Sequence, residues 1–387
     1  MNIGLMTPFW PTTRPDLGIG NNYQRLAGVL AARGHRVTVF YLNRHKPFWQ
    51  RGTDCNENGF RVIEVPCRVS PGSSWRGRFL AAHLAVLAFF LFKSGKILRG
   101  IEVMEATSNG GFPWFFIRFI SRGRIPLLVR ISTTGTQMKE VRLQGSRYHN
   151  WMETALIRSA RHLCTHTQAH REAICSLLGV DPARMAVIPH GIVLPELPLP
   201  VAAPERFILT VGRFEPRKGT DTLLQAVPLV LAQQPDCRFV LAGAGDQWEL
   251  WTKKFLEAHG HLADRVRFLG HVPLEELETL YQTCAFFVSP ATYESFGMTY
   301  LEAMRYGKPV IGCRQSGGAE EVIGDGGLLA RPGDAAHLAE MIVRLWIDQG
   351  LHQKLSARAR LRAEYYSLDL KAERSEQHYA KMIAGEI

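Results

Sequence analysis

Twice along the chain, short apolar strands alternate with helices, and a run of prolines separates the two series. That alternation narrows the fold more than any other feature, because parallel strands joined by helices are laid down as a sheet covered on both faces. The first series opens with a strand at Ile3–Met6, then a loop holding Gly18 and Gly20. A helix over Asn22–Arg33 follows, with Leu26, Val29 and Leu30 at helical spacing and Gly34 as its stop. Further strands are expected at Arg36–Leu42, Phe60–Val65, Ile101–Ala106 and Leu127–Ile131. The break runs from Gly191 to Pro204, where Pro195, Pro198, Pro200 and Pro204 remove backbone donors and fix φ. The second series has strands at Phe207–Val211, Arg238–Ala242, Val266–Leu269, Ala285–Ser289 and Pro309–Gly312. Its helices are expected at Thr220–Gln233, Leu274–Gln282, Met298–Tyr306, Ala335–Asp348, Leu351–Tyr366 and about Leu370–Ile383. The expectation is an α/β protein of two tandem doubly wound (Rossmann-like) domains facing across a cleft. The first domain covers 1–197, the second 198–366, and a last helix covers 367–387. The default ligand site is the crevice at the carboxyl ends of the strands.

Size and composition agree with a folded pair of domains: 387 residues, of which 46% are hydrophobic. The seven cysteines, Cys55, Cys67, Cys164, Cys175, Cys237, Cys284 and Cys313, are scattered and odd in number. With no C-x-x-C pair they point away from a disulfide framework or a zinc ribbon and toward a reducing cytosol. The opening residues Met1–Met6 run into Thr7-Pro8, too short for a signal's apolar region. A cytoplasmic protein is therefore expected, with the inner membrane face as a place of peripheral contact. Residues 1–197 carry 25 Lys+Arg and 11 Asp+Glu, a net of +14, whereas 198–387 carry 21 and 24, a net of −3. The first half is thus expected to meet something anionic: nucleic acid, acidic lipid or a phosphorylated substrate, with a merely solvated basic surface as the alternative. No nucleic-acid-binding module is recognisable, which disfavours the first of these. The longest apolar run, Phe79–Phe92, has fourteen residues, short of the ~20 needed to span a bilayer. It reads as a core helix, with a helix dipping into a membrane surface as the sharper alternative.

Several loops carry the groups that chemistry would need. Val211-Gly212-Arg213-Phe214-Glu215-Pro216-Arg217-Lys218-Gly219 follows a strand and precedes a helix, so Arg213 and Lys218 fall at the carboxyl edge of the sheet. Two fixed cations there suit a diphosphate. In Glu294-Ser295-Phe296-Gly297-Met298-Thr299-Tyr300-Leu301-Glu302 the first glutamate lies in a strand-end loop and the second inside a helix opened by Gly297. Carboxylates accept hydrogen bonds from sugar hydroxyls, and backbone N–H groups at a helix start can hold phosphate. Ser316-Gly317-Gly318 makes a third strand-to-helix turn. Gly18-Ile19-Gly20 lets a backbone approach a ligand, but Tyr23 stands where a dinucleotide fingerprint needs its third glycine. His162, His166 and His170 are spaced by four, yet Leu163–Thr167 reads as a strand, so a single metal-binding helix face is not expected.

Together these blocks resemble the retaining glycosyltransferases of family 4, which have the GT-B fold. ESFGMTYLEAMRYGKPVIG resembles that family's motif of two glutamates separated by seven residues, and VGRFEPRKG and SGGAEEVIGDGGLLARPGD resemble its other two signatures. The resemblance implies a nucleotide-sugar donor and transfer to a hydroxyl acceptor. It assigns the donor diphosphate to Arg213 and Lys218, donor-sugar hydroxyls to Glu294 and the ribose to Glu302. Phe296, Gly297 and Met298 would donate backbone hydrogen bonds to sugar and phosphate, Gly20 would approach the phosphates, and Val272 would lie near the base. It also implies that the last helix crosses back to the first domain. Where the family often has a histidine, the chain reads Arg130-Ile131-Ser132-Thr133, so Ser132 or Thr133 is the expected substitute. His190 stands in a block that is Asn-Gly elsewhere and would touch acceptor or donor or merely end a strand. No Asp-x-Asp motif occurs, so no metal or other cofactor is expected. The acceptor would be anionic or membrane-linked, a lipid or a growing polysaccharide. The rival readings are a nucleotide-sugar epimerase or phosphorylase of the same architecture and a non-catalytic nucleotide-sugar binding protein.

Overall fold

The computed structural model describes residues 1–11, 18–68, 75–93, 95–121, 123–132, 147–196 and 205–387. Thr133 and the proline-rich stretch 197–204 lie outside them. The chain divides into two compact units, Met1–Gly191 with Leu368–Ile387, and Ile192–Ser367.

The first unit is built on an eight-stranded sheet. Its strands are β1 (Asn2–Thr7), β2 (Arg36–Pro47), β3 (Asp54–Glu57), β4 (Phe60–Arg68), β5 (Val103–Thr107), β6 (Leu127–Arg130), β7 (His162–Thr165) and β8 (Met185–Val187). They lie in the order β3-β4-β2-β1-β5-β6-β7-β8. Every pairing is parallel except β3 with β4, an antiparallel hairpin at the sheet edge. The hairpin closes through Asn58-Gly59, both at positive φ as a two-residue turn requires. One face of the sheet is packed around Phe40, Val65, Met104, Val129 and Leu163. The other is packed around Leu5, Tyr23, Val39, Val103 and Leu128, and it takes in Ala372, Tyr379 and Met382 of the C-terminal helix Leu368–Ala384.

Three expectations are corrected here. The first helix starts at Gly18, not Asn22, so Gly18 and Gly20 form its opening turn rather than a loop. A Cβ at Gly20 would stand 3.1 Å from the Phe9 carbonyl oxygen, so the glycine lets that turn lie against the Phe9–Trp10 backbone. The sheet is not wholly parallel, because Asp54–Glu57 adds the antiparallel edge. The apolar run is not simply a core helix: it forms the helix Trp75–Ala88 and a π-helical turn Phe89–Lys93, and among its described side chains Leu80, Leu84, Leu91 and Phe92 are exposed.

The second unit carries β9 (Ile208–Val211), β10 (Phe239–Ala242), β11 (Val266–Gly270), β12 (Phe286–Val288), β13 (Val310–Cys313) and β14 (Gly327–Ala330). The order is β11-β10-β9-β12-β13-β14, all parallel. Helices on both faces complete a doubly wound unit, with one core layer around Leu223, Phe239, Phe286 and Leu345 and the other around Leu209, Phe287, Tyr300 and Met304. Ile192 and Val193 belong to this unit: the Ile192 N–H donates to the Tyr366 carbonyl (2.8 Å), and Arg305 Nη1 donates to the Val193 carbonyl (3.1 Å).

Candidate active site

In the second unit the chain leaves β9, β12 and β13 at the same sheet edge, and the three loops are stitched together. The Thr292 N–H donates to the Arg217 carbonyl (2.9 Å), the Glu294 N–H donates to the Ser316 carbonyl (2.8 Å), and the Gly318 N–H donates to the Glu294 carbonyl (2.8 Å). Two glycines make this closeness possible. A Cβ at Gly219 would lie 2.0 Å from the Pro290 carbonyl oxygen, and one at Gly317 would lie 2.8 Å from that of Glu294. Both are at positive φ, +68° and +78°, so any other residue would be strained as well as crowded.

At that junction the Lys218 ammonium donates to the Glu294 carboxylate, and Arg217 Nη1 lies 3.9 Å from its other oxygen. Lys218 and Glu294 are 76 residues apart in sequence, and their contact was not visible there. Arg213 is in the same loop, its side chain 66% exposed, with Nε 2.8 Å from Glu215. Glu215 is buried and also pairs with Arg217 (3.0 Å). Sequence reasoning passed over Glu215 and Arg217. Their signal was a carboxylate within two residues of each of two arginines, close enough to hold both guanidinium groups in one turn.

Glu302 lies in the short helix Met298–Met304, and its Oε2 accepts from the Tyr281 hydroxyl (2.8 Å). Tyr281 is fully buried; burial and then the Glu302 charge hold its hydroxyl well above the usual range, so it stays a donor. Phe296 is buried edge-on against Tyr366, ring centroids 5.5 Å apart. Gly297 caps the helix at φ +96°, and Met298 is half-buried at its first position. Val272 is half-buried in the turn between β11 and the helix Leu274–Thr283.

The remaining predicted residues lie in the first unit. Gly20 is buried in the opening turn of Gly18–Ala32, where helix N–H groups have no intrahelical partner. Ser132, just past β6, has its hydroxyl 3.5 Å from His166 Nε2. His166, past β7, stacks on His190, past β8, with ring centroids 3.5 Å apart and planes at 23°. A histidine thus stands beside Ser132, carried past β7 rather than by the Ser132 segment itself. Burial, with His190 next in effect, holds His166 well below the usual histidine range; burial followed by Lys371 does the same to His190. Both shifts favour the neutral imidazole. His162 belongs to β7 and His170 to the helix Gln168–Leu178, so the evenly spaced histidines share no helix face. Among the described residues no group of three or more His, Cys, Asp or Glu is placed to hold a metal ion.

Comparison with known proteins gives this arrangement a family. A model of the glycosyl transferases group 1 matches residues 199–362, and a glycosyl transferase 4-like domain matches residues 18–191, together most of the chain. The O-antigen chain mannosyltransferase B of Escherichia coli is 36% identical over 165 residues, 42% of each chain. The glycogen synthase of Mycobacterium tuberculosis is 27% identical over 362 residues, 89% of this chain and 86% of that one. Among solved structures, sucrose-phosphate synthase from Thermosynechococcus elongatus superposes over 100% of both chains with a TM-score of 0.78 at 22% identity. Anabaena Alr3699/HepE, solved in complex with UDP-glucose, superposes over 100% of both chains with a TM-score of 0.70 at 18% identity. Two units on largely parallel sheets, both family matches and these neighbours agree: the chain belongs to the family 4 glycosyltransferases and has the GT-B fold.

Proposed function

We propose that the protein is a retaining, metal-independent transferase that moves a sugar from a nucleotide-sugar donor to a hydroxyl of a glycan or glycolipid. The observation that carries this reading is the Lys218–Glu294 pair at the junction of three loops drawn together at Gly219 and Gly317, with Arg213 exposed in the loop that carries Lys218. Cations at a strand edge offset the charge that builds on a departing diphosphate, and a carboxylate at the same point can accept from sugar hydroxyls. The bound donor would take over the contact that Lys218 now makes with Glu294. Glu302, ordered by Tyr281, is the acceptor for ribose hydroxyls, and the backbone at Phe296, Gly297 and Met298 supplies donors. The complex of HepE with UDP-glucose, a protein of the same fold, supports a nucleotide-sugar donor. The mannosyltransferase relative supports a glycan acceptor.

In the proposed reaction the acceptor hydroxyl attacks the anomeric carbon on the face the nucleotide leaves. The new carbon–oxygen bond forms as the bond to the diphosphate breaks, and the hydroxyl proton passes to a diphosphate oxygen. Positioning and charge stabilisation carry the rate. In the first unit, Gly20, Ser132 and the neutral His166–His190 pair would offer hydrogen bonds without adding charge. Its basic balance favours an anionic or membrane-linked acceptor.

The test is a panel of nucleotide sugars, UDP-glucose and GDP-mannose first, incubated with the protein in excess EDTA. The expected result is slow release of sugar from one donor, with the anomeric configuration kept in the first product seen by NMR. Inverted product would overturn the retaining assignment, and activity restored only by a divalent ion would overturn metal independence. Isomerised donor without release would make the protein an epimerase, and binding without turnover would make it a non-catalytic binder.

A further inference from the structure

The helix Trp75–Ala88 and its π-helical extension Phe89–Lys93 are apolar on two sides, and only one is used by the core. On the inner side Ala82, His83, Ala85, Val86 and Phe90 are buried. His83 pairs through Nε2 with the Gly110 carbonyl (3.0 Å) and stacks on Phe112, and Phe90 packs against Phe40 and Phe116. The outer side carries Leu80, Leu84, Leu91 and Phe92, which are 46%, 48%, 49% and 84% exposed. An ordinary surface helix turns a polar face to water.

The outer residues form one stripe. At 3.6 residues per turn, Leu80, Leu84 and half-buried Leu87 fall within an arc of about 60°. A continued α-helix would carry Phe92 about 120° away from Leu80. Leu91 would stay over the leucines in either helix, and the wider π turn, which rotates less per residue, brings Phe92 back over them as well. The adjoining segment Phe116–Ser121, joined through the Phe90–Phe116 ring contact, adds exposed Phe119.

In sequence the stripe is flanked by cations: residues 75–101 contain Arg76, Arg78, Lys93, Lys96 and Arg99 and no acid, and the next acids are Glu102 and Glu105. Glu105 is buried against Arg130, and Glu102 accepts from the Asn2 N–H. Arg99, shortly after the stripe, and Arg118 and Arg124, in and just after the segment that carries Phe119, are exposed. The helix is too short to cross a bilayer, and no helix among the described residues is long and apolar enough to do so. Leucine and phenylalanine on one face with cations at the flanks is the pattern of a helix lying in an interface.

We propose that the face carrying Leu80, Leu84, Leu91 and Phe92, extended by Phe119, docks on an anionic lipid bilayer: those side chains enter the acyl boundary and Arg99, Arg118 and Arg124 meet the headgroups. This rests on the reading of a membrane-linked acceptor for its use, but binding to lipid is read without turnover. The experiment is flotation of the full chain with phosphatidylcholine vesicles, with and without phosphatidylglycerol, at low and high salt. Leu84→Glu/Phe92→Glu and Arg118→Glu variants are run beside the parent chain. The parent is expected to float with anionic vesicles at low salt and at least tenfold less with neutral ones. The double variant should lose that binding while keeping its melting temperature and its binding of the donor found above, since both side chains are exposed. Arg118→Glu should weaken binding by a few-fold. Equal flotation of parent and double variant, or none at low salt, would overturn the proposal. So would concentration-dependent self-association, lost in the double variant, without vesicle binding, because the stripe would then be a contact between copies. Loss of donor turnover with lipid binding intact would count against the function proposed above and leave the docking face standing.

Discussion

Lys218 and Glu294 are the pair at the sheet edge of the second unit on which the proposed function rests. Their side chains are only 16% and 12% exposed, so each is largely shielded from water and set against the other. Removing Lys218 would leave Glu294 with Arg217 at 3.9 Å as its remaining cation and a departing diphosphate with less counter-charge. Lys218→Ala is therefore expected to lower donor turnover about 10²–10³-fold, in the range for loss of one stabilising group. Glu294→Gln is expected to lose at least tenfold, and the double variant much less than the product of the two, because the residues act as a unit. Turnover within about threefold of the parent for Lys218→Ala, with an unchanged melt, would mark the pair as structural. The residue types were legible in the sequence, because glycine, arginine and lysine after a strand are local features. The contact was not, because two loops meet only once β9 and β12 pair. His166 is a similar case: its even spacing from His162 and His170 carries no sign of its neighbours, which are Ser132 and His190, each from a different strand end.

At the scale of elements, a buried carboxylate adds a polar tie between the C-terminal helix and the first sheet to the packing of Ala372, Tyr379 and Met382. Glu105 on β5 accepts from Arg130 on β6 (2.6 and 3.0 Å), from Tyr23 (3.0 Å) and from Tyr379 (2.6 Å). All four side chains are buried. Burial alone would raise the Glu105 carboxyl, but Arg130 and the hydrogen bonds outweigh it and bring it down to about 2. A carboxylate whose folded pKa is depressed stabilises above its unfolded value near 4.5, and that contribution fades as pH falls toward 2. Glu105→Gln leaves Arg130 buried without its counter-charge, so a loss of about 3–5 kcal/mol is expected. The same variant should show a flatter acid limb than the parent below about pH 4.5 in thermal melts. Equal acid limbs would mean that another group governs acid unfolding. The sequence made most elements legible, because runs such as Ile208–Val211 and Thr220–Gln233 follow strand and helix periods cleanly. It hid the ones whose local chemistry is mixed. Asp54–Glu57 has no apolar face, and its strand state comes from pairing with β4 across the Asn58-Gly59 turn. The π turn at Phe89–Lys93 depends on how Phe90 seats against Phe40 and Phe116, which no sequence period encodes.

The whole molecule has two cores, each a pair of layers on its own sheet, and Lys218, Glu294 and Glu302 all belong to the second unit. The charge divides along the chain as well, +14 over residues 1–197 and −3 over 198–387. A ligand that binds only the folded state stabilises what it touches in proportion to the logarithm of its concentration over Kd. If the second unit holds the nucleotide, the nucleoside diphosphate of the productive donor should stabilise the second unit directly, by about 2.7 kcal/mol at a hundred times Kd. Two cores also make a single all-or-none transition the wrong default, so a calorimetric shift is best assigned by hydrogen exchange. Protection is expected in peptides covering Arg213–Gly219 and Glu294–Glu302. It should shrink in Lys218→Ala at fixed nucleotide, because the variant loses a phosphate partner. Protection confined to peptides of Met1–Gly191 would move the donor to the other unit and overturn the assignment of Lys218 and Glu294. Protection of the second unit that rises as salt is lowered would show that its cations, despite that half's negative balance, are concentrated where the diphosphate binds.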